Sequence, residues 1–182
     1  MGKCVLLPPA FVLFFAACAS QPELTTPATL RQVMNGIIGP SSDTIFQAVA
    51  TTVDENGIER TFPQTDEEWQ RLENQATMLR ESTDLLLDRR RPIAMPGERT
   101  RDPELYPEPQ EIQSLVETSQ AEWDRFTRDM HDAVLSSLKA IKTKSPEALL
   151  ISTDRLNFTC EQCHLSFWFP NERSRGLHSR QP

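Results

Sequence analysis

Residues 112–141 read IQSLVETSQAEWDRFTRDMHDAVLSSLKAI. Within them Ile112, Leu115, Val116, Ser119, Trp123, Phe126, Met130, Ala133, Val134, Leu138 and Ile141 recur at three-to-four spacing. That is the period of one helix face, sustained for roughly thirty residues, or about 45 Å at 1.5 Å per residue. An amphipathic helix of this length must bury its stripe against other elements.

The flanks supply them. Downstream, Ser145-Pro146-Glu147 opens a further helix, with Ser145 as cap and Pro146 at the first helical position. Leu149, Ser152, Leu156, Cys160 and Cys163 then follow at helical spacing. Upstream, residues 92–109 hold Pro92, Pro96, Pro103, Pro107 and Pro109. They read as a long extended loop, of the kind that is often mobile or functional. Before it, Thr65 and Glu68 have capping-box spacing, and Trp69, Leu72, Ala76, Leu79, Thr83 and Leu86 form a stripe. Arg89-Arg90-Arg91 suits the C-terminal end of that helix dipole, and Pro92 stops the helix.

The first stripe is Leu30, Met34, Ile37/Ile38, Ser41, Ile45, Val49 and Val53. Gly39-Pro40 interrupts it, so a kink or break is expected at Pro40. Gly36 and Gly39 would let a bulky group approach the backbone. Asp54-Glu55-Asn56-Gly57 reads as a stop followed by a turn. No stretch alternates convincingly with a period of two. The expected class is all-α, with four amphipathic helices packed on one another.

The chain has 182 residues and a formal charge of −7, which argues against nucleic acid as a partner. Its front end is an export signal. Lys3 precedes the apolar run Val5–Ala17, which is too short to span a bilayer. Residues 1–17 are therefore set aside as a signal peptide. Phe15-Ala16-Ala17-Cys18 resembles a bacterial lipobox, which implies lipidation of Cys18 and membrane anchoring through a tether over 18–27. Ala17-Cys18-Ala19 also fits an A-x-A cleavage site, so both processing routes stay open. The polar tail 171–182, with His178, is expected to be disordered.

Cys160-Glu161-Gln162-Cys163-His164 is C-x-x-C-H, the spacing that attaches a c-type haem. Two thiols three positions apart reach the two vinyl groups of one porphyrin, and the next imidazole serves as an axial ligand. A chain with 4 Cys and 3 His seldom makes this string by chance. A zinc site needs about four ligands, and His131 and His178 lack paired spacing. A thioredoxin-like pair would open a helix after a strand, whereas this one closes a helix. A structural disulfide would leave His164 unexplained.

An exported chain of four amphipathic helices with Cys160, Cys163 and His164 near its end resembles the class II c-type cytochromes. That family includes cytochrome c′ and the low-spin cytochromes c-556, and most other c-type cytochromes carry the motif near the N-terminus. The resemblance covers about residues 28–170. It implies an antiparallel up-down-up-down bundle with one covalent haem c among the helices. It places the sixth iron ligand early in the first helix, where Met34 stands. Met130, Met78 and Met95 are less suitably placed, and His131 reads as a flanking surface residue. Arg31 is a candidate partner for a haem propionate. Phe167 and Trp168, in Phe167-Trp168-Phe169-Pro170, are candidates to cover the haem edge.

The expected function is one-electron transfer between periplasmic redox partner proteins, with no enzymatic activity. The alternatives are a cytochrome c′-like gas binder with an open sixth position and a haem-free dithiol oxidoreductase. The resemblance also implies that the bundle can form a homodimer.

Overall fold

The computed structural model describes residues 27–170, apart from 56 and 104. The signal segment 1–17, Cys18 with its tether, and the tail with His178 lie outside the described residues. The elements are α1 (Leu30–Val33), a π segment (Met34–Ile38), α2 (Gly39–Gln47), β1 (Ala50–Asp54), β2 (Gly57–Thr61), α3 (Asp66–Leu86), α4 (Pro109–Thr118), α5 (Gln120–Lys142) and α6 (Pro146–Phe167). Helix dominates the described chain, as its periodicity predicts. No helix among the described residues is long and apolar enough to cross a membrane.

Local chemistry accounts for where the helices start. Thr65 Oγ1 accepts the Glu68 N–H at 3.2 Å, and Glu68 Oε2 accepts the Thr65 N–H at 3.0 Å. This is the reciprocal capping box expected at α3. Thr29 and Gln32 make another at α1, which the sequence reading missed. Ser145 caps α6 with Pro146 behind it, as the sequence requires.

Of the kink or break expected at Pro40, the break is absent, and two further segments differ from expectation. α1, the π segment and α2 run on continuously, and the extra residue of the π turn accommodates the ring. The first helix stops at Gln47, well short of Val53. Residues 50–61 instead form an antiparallel hairpin, with Val53 opposite Ile58 and Asp54 opposite Gly57. Thr51, Thr52 and Val53 are β-branched, and Gly57 takes a φ of 129° at the turn. Ala50–Val53 and Gly57–Thr61 are exposed throughout, so neither strand carries an apolar alternation in its sequence. Finally, the 112–141 stripe is two helices. Ser119 leaves helical geometry with a φ of −118° and a ψ of 38°, and α5 starts afresh at Gln120.

α5 packs on α6 and α3, and α3 packs on α2 and the π segment. Ile45, Leu79, Val134, Ile141, Leu149 and Leu156 are fully buried among them. Trp123 Nε1 donates to the Leu86 carbonyl at 2.8 Å and pins the start of α5 to the end of α3.

The segment between α3 and α4 is strapped down. The N–H groups of Leu30 and Arg31 donate to the carbonyls of Pro92 and Ile93 at 2.9 and 3.0 Å. These contacts satisfy donors that a helix start leaves free. Ile93 is buried, and its N–H reaches Gln113 Oε1 at 3.0 Å. Glu108 accepts from Arg99 and from the Thr100 N–H. Arg89, Arg90 and Arg91 lie past the end of α3, where they engage Asp124, Asp88 and the Ala28 carbonyl.

Candidate functional site

Positions i, i+3 and i+4 share one face of a helix. In α6 that rule puts Cys160, Cys163 and His164 together, and all three line one cavity of about 490 Å³. Its size falls in the range of small-molecule and cofactor sites. The helix run 30–47 supplies Arg31, Met34, Asn35, Ile38, Gly39, Ser42, Asp43 and Phe46 to the same cavity. α5 adds Trp123, Phe126, Thr127 and Met130, and the loop adds Thr100, Tyr106 and Pro107.

The Cys160 and Cys163 thiols are free. Burial pushes them up to about 11 and about 12, so both stay protonated at neutral pH. Burial also pulls the His164 imidazole below its ordinary range, which keeps it neutral with a ring nitrogen available to a metal. The His164 carbonyl accepts from the N–H groups of Trp168 and Phe169 at 2.7 and 2.8 Å. The Trp168 and Phe169 rings stand 5.9 and 6.1 Å from the imidazole.

The aromatic ending divides between two jobs. Trp168 lines the cavity, and Phe169 joins it. Phe167 does not. It shares the helix face of Cys160, Cys163 and His164 but is buried in the core, edge-on to Trp123 at 5.2 Å, with Trp123 on the cavity wall. Tyr106 meets Phe169 edge-on at 5.2 Å and joins the loop to the helix end.

Met34 lies on the cavity wall, half-buried. Met130 is a second thioether on the wall, which sequence position had ranked lower. Arg155 reaches Ser136 and Ser166 reaches Glu122, so α5 and α6 run antiparallel and Met130 is level with Cys160 rather than His164. Met78 and Met95 are exposed and line no part of this cavity. His131 is half-buried, with Nδ1 2.9 Å from Thr83 Oγ1, and also stands apart from the cavity. Arg31 lines the cavity but is already paired with Glu98 at 3.5 Å.

These residues fit a haem. The walls are mainly apolar, and Arg31 is the one cation among the described residues that line them. Ser42 Oγ on the same wall is buried without a partner among the described residues. Cys160 and Cys163 would hold the macrocycle, with His164 as one axial ligand. Among the described residues, no three His, Cys, Asp or Glu side chains converge as a chelate for a bare metal ion. The sequence reading missed Thr100, Tyr106 and Phe46 as wall residues and met Pro107 only as one of the loop prolines. No family model matches the chain, and neither the curated proteins nor the solved structures compared with it include a match.

Proposed function

We propose that this chain is an exported single-haem c-type cytochrome of class II architecture that carries electrons. In this reading the helix run 30–47, α3, α5 and α6 are the arms of an antiparallel four-helix bundle. One observation carries the proposal: the two thiols and the imidazole of the C-x-x-C-H motif line the same apolar cavity as Met34. When bound, haem supplies one-electron Fe(III)/Fe(II) chemistry. Cys160 and Cys163 would hold it covalently through their sulfurs, and His164 and Met34 would ligate its iron. Met/His ligation suits electron transfer and raises the reduction potential. Trp168, Phe169 and Tyr106 exclude water from the edge near His164, which also tunes potential.

The dithiol alternative finds little support. Redox-active thiols sit in electropositive, partly exposed settings with lowered pKa values, and burial pushes these two the other way. In the exported reading the partners are periplasmic redox proteins, and Cys18 carries a lipid that tethers the domain to a membrane.

The deciding experiment is an optical spectrum of oxidised and reduced protein from a host competent in cytochrome maturation, with a haem stain of the denatured band. A stained band with a low-spin spectrum supports the proposal. A colourless band without Soret absorption or cofactor mass rejects it, and a stained high-spin protein favours the gas-binding alternative.

A further inference from the structure

We propose that Gly39 is a positioning residue for the sixth iron ligand, acting through the π segment that turns the Met34 thioether onto the cavity wall. The proposal rests on the haem reading above. Met34, Ile38, Ser42 and Phe46 line the cavity as a row with steps of four. In an uninterrupted α-helix, with about 100° per residue, such a row creeps by about 40° per step and leaves Met34 about 120° away from Phe46. The π turn takes in one extra residue and turns Met34 back by about 100°, onto the wall that Ser42 and Phe46 share.

The sequence explains why the wide turn lies here. Pro40 has no N–H to give to the Gly36 carbonyl, and its ring would press on that carbonyl in α geometry. The Gly39 N–H donates instead to the Met34 carbonyl, five residues back. A Cβ on Gly39 would stand 3.0 Å from that same oxygen. A side chain at 39 therefore pushes on the backbone of the ligand residue itself. At Gly36 an added Cβ meets nothing within 4 Å.

The test uses the full chain matured with haem, with spin state and reduction potential read alongside helical circular dichroism. Gly39→Ala is compared with Gly36→Ala and Met34→Ala. Alanine is the better helix former, so lost helicity is not expected. Gly39→Ala should keep stained, covalent haem yet lose the low-spin spectrum towards that of Met34→Ala, with a lower potential. Gly36→Ala should match the wild type. A Gly39→Ala protein that stays low-spin at the wild-type potential overturns the positioning role while leaving the haem reading intact. If Gly39→Ala does not accumulate, Pro40→Ala carries the test, because it restores the N–H that α geometry needs. The same spectral loss is then expected, and an unchanged spectrum overturns the proposal. An unstained wild type, or a Met34→Ala spectrum identical to it, removes the reading beneath and the proposal with it.

Discussion

At the scale of single residues, burial sets the chemistry of the motif. The Cys160 and Cys163 pKa values stand above the ordinary 9.0. Stability from these thiols is complete below about pH 9 and is lost as pH rises towards their folded values. In folded, haem-free chain, alkylation of Cys160 at pH 8 should be on the order of a hundredfold slower than in urea, from a shift of about two units. Equal rates would show that neither thiol is shielded. His164 has the opposite sign. Its folded pKa is depressed, so its contribution holds above the ordinary 6.5 and falls as pH drops through the folded value. A second pair of variants separates the thioethers. Met34→Ala should turn a low-spin spectrum high-spin, and Met130→Leu should leave it low-spin because it keeps the volume in a buried position. The reverse result would make Met130 the ligand. The motif was legible because its spacing lies within one helical turn. Met130 was harder to place, since its level against α6 depends on how two helices pair.

At the scale of elements, the caps were the most legible features, because a cap is settled by residues three apart. Thr65→Ala should lower stability by about 0.5–2 kcal/mol in urea unfolding, through loss of the hydroxyl that accepts the Glu68 N–H. The hairpin was not legible. Val53 and Ile58 face each other across it and both remain largely exposed, so no burial imposed a two-residue pattern. Ser119 is another such case. It falls in register with the long stripe, yet there the chain turns from α4 into α5. Apolar periodicity reports which face is buried and passes through a break that preserves the phase.

At the scale of the whole molecule, the cavity depends on segments far apart in the chain. Trp123 lines it and also donates to Leu86 at the end of α3. Trp123→Phe removes that donor and leaves a buried carbonyl unpaired, so stability should fall by about 1–3 kcal/mol. Denaturant unfolding of haem-loaded protein checks this, and an unchanged midpoint would mean that Leu86 finds another donor. Anchoring belongs to this scale as well. Cys18→Ser should release the protein from the membrane fraction, and soluble protein with Cys18 intact would favour cleavage before Ser20.

The sequence by itself determined that helices dominate, where α3 and α6 begin, and that two thiols and an imidazole share one helix face. Each of these is decided within one or two turns, by hydrogen bonds and side-chain directions that neighbours in sequence impose. Tertiary structure alone decided that the loop carrying Tyr106 straps across α1 and joins the cavity wall, and that Phe167 packs into the core while Trp168 does not. Those outcomes depend on which distant surfaces pack together. Packing between remote segments leaves no periodic trace in the chain that makes it.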